Sequence, residues 1–249
     1  MIVLSAGMEK SGTGWYFNLT NDFLVAAGFQ DIRLIREKYH LHSILKYYNC
    51  NVRQPTLFKL TFLLIPHFFG NTFVVKTHYS LSSRALHYLM SSKILKATYI
   101  YRDPRDVAIS AYQHGQKIRA RGQVRSFGQL DSIEASILYV KRLLEIWEEW
   151  RQCSDVLSNH VLLVKYEHLV EDTVSELKRL ADFLEICMPS EALYKISKTY
   201  HVDSPFTNPR GLHFNKGVVG RFRDVMNQKE LNLCQEHFGS YLRKMGYLE

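Results

Sequence analysis

Residues 8 to 15 read Met-Glu-Lys-Ser-Gly-Thr-Gly-Trp and follow an apolar run, Met1 to Ala6. A buried strand that runs into a glycine-rich turn and then a helix aims free backbone N–H groups at one point. The helix dipole adds positive potential there, so the unit is a cradle for a phosphate. In a nucleotide-triphosphate loop, G-x-x-x-x-G-K-[ST], the lysine follows the second glycine. Here Gly7 and Gly12 keep the spacing, but Thr13 and Gly14 follow, and the cation Lys10 comes before the turn. The register is wrong for a kinase.

Three further segments carry chemistry. Val74-Val75-Lys76-Thr77-His78 reads as a strand end, and period-two alternation puts Lys76 and His78 on one face. An imidazole with its ordinary pKa of about 6.5 is largely neutral at pH 7 and can accept a proton. Ligand sites of open α/β sheets lie at the strands' carboxyl edge, where this pair falls. Tyr99 to Ser110 reads as a strand ending in Arg102, then a helix begun by Pro104 that carries Ser110. A guanidinium fork with a compact hydroxyl donor suits a phosphate. Arg105 reads as solvated or as paired with Asp106. Phe214 to Phe222 is a basic, glycine-flanked loop near the C-terminus.

The elements that must hold these residues alternate. Strands are expected at 1–6, 72–76, 97–101 and 160–165, and helices at about 13–27, 80–90, 104–114, 131–151, 173–184, 189–199 and 228–244. Residues 30–70 are irregular and rich in aromatics. Residues 115–130, with Gly115, Gly122 and Gly128 among Lys117, Arg119, Arg121 and Arg125, read as a basic, mobile loop. Strands alternating with helices imply an α/β fold with a parallel sheet covered on both faces. Phosphate-binding segments at both ends of the chain must converge, so residues 1–249 are read as one domain.

Taken in order, these segments resemble the sulfotransferases that use 3'-phosphoadenosine-5'-phosphosulfate (PAPS). Residues 8 to 15 look like that family's 5'-phosphosulfate loop, 99 to 110 like its 3'-phosphate motif, and 214 to 222 like its C-terminal glycine-rich motif. Leu163 to Glu167 and Phe183 to Ile186 also look like family strand and helix ends, so the resemblance runs nearly end to end. It implies a P-loop-type three-layer α/β/α fold and PAPS as the sulfuryl donor. It implies His78 as the base, Lys76 beside the transferring group and Lys10 at the leaving oxygen. The N–H groups of Ser11, Gly12, Thr13 and Gly14 would hold the 5'-phosphate, and Arg102 and Ser110 the 3'-phosphate. Tyr166 resembles the tyrosine that contacts adenine. Trp15 either faces adenine, as in the family, or is a core aromatic. Asn215, Lys216 and Gly217 complete the nucleotide set. The C-terminal motif departs from the family's Arg-Lys-Gly followed by Gly-Asp-Trp: Asn215, Arg221 and Phe222 replace the Arg, Asp and Trp. Lys216, Arg221 or Arg210 could supply the charge that Asn215 lacks.

The composition fits this picture. The chain is 46% hydrophobic and 22% charged, ordinary for a folded protein. A formal net charge of +8 suggests an anionic partner, either a nucleotide or a nucleic acid. The run from Lys117 to Arg125 lacks interleaved aromatics, which weakens a base-stacking account, so no nucleic-acid partner is expected. The four cysteines, Cys50, Cys153, Cys187 and Cys234, are widely spaced and form no C-x-x-C pair. They suit reduced thiols in a cytoplasmic protein, without structural zinc. No run reaches the ~20 apolar residues of a membrane span, and no signal peptide is legible. No carboxylate cluster stands where Mg²⁺ would be held, so no metal is expected. The acceptor is expected to be a hydroxyl or amine of a small molecule, glycan or lipid, walled by the aromatics of 39–69. A metabolite kinase and a polyanion-binding protein are the rival readings.

Overall fold

The computed structural model describes residues 1–79, 84–124, 126–200 and 217–248. In chain order these form β1 (Ile2–Gly7), α1 (Thr13–Ala26), α2 (Ile32–Lys38), β2 (Leu45–Lys46), β3 (Asn51–Val52), α3 (Leu57–Phe68), β4 (Phe73–Thr77) and α4 (Arg84–Ser91). Then come β5 (Leu95–Tyr101), α5 (Pro104–Arg119), α6 (Ile133–Val156), β6 (Val161–Lys165), α7 (Tyr166–Glu171), α8 (Thr173–Leu184), α9 (Ser190–Thr199), α10 (Phe222–Val225) and α11 (Gln228–Lys244).

The strands make one sheet in the order β2-β3-β4-β1-β5-β6. β1 pairs in parallel with β4 on one side and β5 on the other, with Ala6 opposite Thr77 and Gly7 opposite Ile100. All six residues of β1 and all five of β4 are buried. A strand buried at every position is covered on both faces, as an apolar parallel strand between helical layers must be. β2 and β3 pair antiparallel, so the sheet is mostly, not wholly, parallel. Because β4, β1 and β5 run together, their carboxyl ends lie side by side, which gathers His78, the 8–15 turn and Arg102 at one edge.

Local chemistry explains where the helices begin. Asp31, Ser132, Asp172 and Asn227 each accept a backbone N–H of their helix's first turn, and Asn227 forms a reciprocal capping box with Glu230. Pro104 opens α5 at a position where its missing N–H costs nothing. The long α6 buries Trp147 and Trp150 against the sheet edge, and Trp150 stacks on Tyr99 at 5.3 Å between centroids.

Three expectations are corrected. Residues 115–119 are the last turns of α5, not a loop. Gly115 sits inside that helix because a Cβ there would overlap the Phe127 carbonyl oxygen, so a close approach, not a chain break, selects glycine. Arg119 is no free loop cation either: its Nη1 donates to the carbonyls of Gly128 and Leu130 at 3.2 and 2.5 Å. Residues 30–70 hold α2, the β2–β3 hairpin and α3, where no regular element was expected. Arg105 pairs with Asp103 at 2.7 Å, not with Asp106, which pairs with Arg102 at 3.0 Å. Neighbouring residues on a helix diverge by about 100°, whereas residues four apart meet.

Candidate functional site

The turn between β1 and α1 is built by backbone conformation. Lys10 and Gly12 both have positive φ, 69° and 78°. Gly12 answers a second demand: a Cβ on it would come within 2.8 Å of the Tyr166 ring. With Gly12 at the N-cap and no side chain capping the helix, the first N–H groups of α1 have no intrahelical acceptor. Ser11 behaves differently from its neighbours. Its N–H donates to the Met8 carbonyl at 3.2 Å and its side chain is fully buried.

One cavity at the carboxyl edge of β4, β1 and β5 is lined by Lys10, Gly12, Thr13, Gly14, Trp15, Lys76, His78, Arg102, Ser110, Tyr166 and Gly217. These come from five separate stretches of the chain, and all were singled out from the sequence. Ser11 is not among the lining residues. Asn215 and Lys216, with Arg210, lie outside the described residues. Glu9, Asn49, Phe127, Val218 and Arg221 also line it. Arg221 was noted as a departure from pattern and as one of three cations that could replace the missing charge, and the other four carried no signal of their own. Tyr166 is buried, meets Trp15 edge-on at 6.0 Å, and lies 4.5 Å below the Arg102 guanidinium. Trp15 is thus at once a packed aromatic and a wall of the cavity.

The electrostatics favour an anion. Four cations, Lys10, Lys76, Arg102 and Arg221, face one carboxylate, Glu9, around the cavity. Burial pushes the Lys10 ammonium down to about 8, with Lys117 and Arg102 adding to the effect and Glu9 opposing it. Burial also lowers Lys76 to about 8, with Glu9 opposing and Lys10 assisting. Glu9 in turn accepts a hydrogen bond from the Tyr139 hydroxyl.

Arg102 is fixed before any ligand arrives. Its Nη2 donates to Asp106 Oδ2 at 3.0 Å and to the Val218 carbonyl at 2.8 Å. Its Nε is buried without a hydrogen-bond partner among the described residues. An orphaned, buried guanidinium N–H is costly unless an acceptor completes it. Ser110, one face of α5 further on, also opens on the cavity and is 7% exposed.

His78 Nδ1 lies 3.0 Å from the Gly7 carbonyl oxygen. A carbonyl only accepts, so Nδ1 carries the hydrogen and Nε2 of the neutral ring is the free proton acceptor. Burial holds the imidazole pKa down at about 3, with Lys76 and Lys10 adding to the shift and the Gly7 bond opposing it. The ring is therefore neutral far below the range that its ordinary pKa sets. Among the described residues no group of three or more His, Cys, Asp or Glu is placed to hold a metal ion, and no helix is long and apolar enough to cross a membrane.

The chain is similar to known proteins over most of its length. The sulfotransferase domain model matches residues 2–246. Luciferin sulfotransferase of Photinus pyralis is 26% identical over 238 residues, which cover 89% of this chain and 60% of that protein. Human sulfotransferase 4A1 is 27% identical over 163 residues, 59% of this chain and 56% of the relative. The chain thus spans little more than half the length of these relatives. Among solved structures, mouse sulfotransferase SULT7A1 complexed with PAP superposes with a TM-score of 0.61 at 20% identity, covering 97% of this chain and 84% of that one.

Proposed function

The chain belongs to the sulfotransferase domain family, and we propose that it transfers a sulfuryl group from PAPS to a hydroxyl or amine acceptor, with His78 as the base. The observation that carries this reading is the pairing of a neutral His78 with a cluster of cations at the same cavity. The residues present fit the donor: an unsatisfied Arg102 Nε, a helix N-terminus free of a side-chain cap, and a Gly12 turn that leaves no room for a Cβ beside Tyr166.

When bound, PAPS supplies the transferable SO3 group and a phosphate leaving group. On this reading the first N–H groups of α1, from Gly12, Thr13 and Gly14, hold the 5'-phosphate. Arg102 and Ser110 hold the 3'-phosphate, with Arg221 adding charge. Lys10 places its ammonium by the oxygen that gains charge as the phosphate leaves, and Lys76 by the transferring group. His78 Nε2 takes the proton of the acceptor hydroxyl. By analogy with phosphoryl transfer, the displacement is in line through a loose transition state, so positioning and charge supply most of the rate. No step requires a metal ion.

The same reading treats residues 1–249 as one domain. Hydrogen bonds from the backbone of Gly220 and Phe222 to Asp106 support it, since they join the last motif to the middle of the chain. The acceptor is read as a small molecule, glycan or lipid that carries the hydroxyl. The test is incubation with PAPS and a panel of alcohols, phenols and amines in chelator, read by mass spectrometry for an added SO3 and for release of the 3',5'-bisphosphate. Transfer without Mg²⁺ is the expected result. Binding of nucleotide with no sulfated product from any acceptor class would leave a nucleotide-binding protein and remove the reading.

A further inference from the structure

Helix α3 has a face that the fold does not cover. Leu60, Leu63 and Pro66 are buried beneath it. The opposite side carries Phe58, Phe62, Ile65 and Phe69, at steps of four, three and four residues, so they form one stripe along the helix. Phe58 is 70% exposed and Phe69 73%, with Leu57 and Phe68 beside them at 64% and 73%. A helix that is apolar all round belongs in a core or in contact with something apolar. The stripe does not stand alone. Tyr47 and Tyr48, in the turn of the β2–β3 hairpin, are exposed as well, and the next residue, Asn49, lines the cavity.

The charge of this region is one-sided. From Lys38 to Arg102 the sequence holds nine Lys and Arg and no Asp or Glu, which leaves 23 cations against 24 carboxylates in the rest of the chain. Of the nine, Lys76 and Arg102 line the cavity and Lys96 pairs with Glu185 at 2.7 Å, and four others flank α3. Lys38, Lys46 and Arg53 are exposed, and Lys59 is half-buried at the start of α3, where its Nζ donates to the carbonyls of Arg53 and Gln54. Among the described residues none of these four is in a salt bridge. Glu37, just before the stretch, is engaged by Arg36 and His42 at 3.3 and 3.0 Å.

We propose that this face docks on an anionic lipid bilayer, with the α3 aromatics entering the headgroup boundary and the flanking Lys38, Lys46, Arg53 and Lys59 meeting lipid phosphates and carboxylates. Two signals act together, as stable interfacial binding requires: apolar side chains to insert and cations to attract. Phe and Leu suit the acyl boundary, and Tyr47 and Tyr48 the level of the headgroups. Charge argues against a second copy of this chain as the occupant. A two-fold interface places the same patch against itself, and here that would oppose cations to cations. Docking would also set the lipid surface near the hairpin turn whose Asn49 lines the cavity, so an apolar acceptor would have a short path from bilayer to site.

The experiment is co-sedimentation with vesicles of phosphatidylcholine, with and without about a third of phosphatidylserine. The protein should bind the anionic vesicles at about 0.1 M salt and leave them at about 1 M, as the Debye length shrinks from ~10 to ~3 Å. The double variant Phe58→Ser, Phe69→Ser and the double variant Lys46→Glu, Arg53→Glu should each weaken partitioning tenfold or more, with the thermal midpoint unchanged. Phe58→Trp should show a blue-shifted emission with anionic vesicles and quenching by brominated lipid, whether or not the other variants fold. Equal binding to neutral vesicles, or equal binding by parent and aromatic variant, overturns the proposal. So does self-association without lipid that the aromatic variant abolishes, which would assign the face to a second copy.

Discussion

The carboxylate of Asp106 accepts the backbone N–H of Gly220 at 2.7 Å, across 114 residues of chain. The same oxygen takes Arg102 Nη2 at 3.0 Å, and the other oxygen takes the Phe222 N–H at 3.1 Å. One buried side chain thus orients Arg102 and pins residues 220–222 beside the cavity. Asp106→Ala takes the carboxylate from Arg102, which keeps only the Val218 carbonyl, and leaves two backbone donors unmet. Breaking a buried pair of this kind costs roughly 3–5 kcal/mol. Denaturant unfolding should show a loss of that size, and binding of the adenosine 3',5'-bisphosphate should weaken at least tenfold. Full affinity in a folded Asp106→Ala protein would mean that the 217–222 wall is not needed for the nucleotide.

Arg102→Ala should discriminate between nucleotides. Hydrogen bonds to charged groups are worth about 1.5–3 kcal/mol, or roughly 10- to 100-fold in affinity. The loss should appear for adenosine 3',5'-bisphosphate and not for adenosine 5'-phosphate, compared by calorimetry. An equal loss for both would move Arg102 to the 5' end of the site.

The two lysines predict a pH dependence with opposite signs for affinity and stability. Lys10 and Lys76 sit at about 8 in the free protein. A bound polyanion favours their charged forms, so binding takes up protons above that pH, and affinity should fall as pH rises through about 8. The unfolded chain, with lysines at about 10.5, holds more protons between about 8 and 10.5, so their contribution to the stability of the free protein grows across that window. Calorimetry in buffers of different ionisation heat reads the proton uptake directly. Lys10→Ala should take up fewer protons than the parent, and an unchanged count would separate Lys10 from the anion.

His78→Ala should leave nucleotide affinity nearly intact and lower turnover about 10²- to 10⁴-fold, the usual worth of a positioned base. Because the free protein holds His78 at about 3, kcat/KM with an aliphatic alcohol should show no acidic limb near 6.5. The unfolded chain binds a proton at this histidine between about 6.5 and 3 that the folded one refuses, so stability should drop as pH falls through that window. A limb centred near 6.5 that disappears in the variant would show instead that the ring is solvated during turnover.

Much of the site was legible because its residues sit at strand ends, where a short motif and a change of periodicity fall together. Lys76 on β4, and Lys10, His78, Arg102 and Tyr166 just past the ends of β1, β4, β5 and β6, reach one cavity, and Ser110 joins them from within α5. What failed was tertiary. Gly115 looks like a helix end until Phe127 is seen pressed against it. Helix α3 was invisible because apolar rows run along both its buried and its exposed side, so no polar face marks its period, and Pro66 lies within it. The strands β2 and β3 are two residues each, too short for alternation to show. The depressed pKa of His78 depends on burial and on Lys76 and Lys10 in space, which its own neighbours in sequence only half disclose. Glu9 gave no warning, as a single acid in a basic motif reads as solvated until the cavity is drawn around it.

The bond from Gly220 to Asp106 also sets an order of events during synthesis. Strands β1, β4, β5 and β6 are all on the N-terminal side of residue 166, so the sheet can assemble while the last third of the chain is still being made. Asp106 then waits, buried edge and acceptor in place, for donors that emerge more than a hundred residues later. A ribosome-bound or prematurely ended chain stopping before residue 217 would have the β1–α1 turn, His78 and Arg102, yet lack the segment that supplies Gly217, Val218 and Arg221 to the cavity. A nascent chain would thus hold Lys10, Lys76 and Arg102 around a cleft whose last wall is still missing.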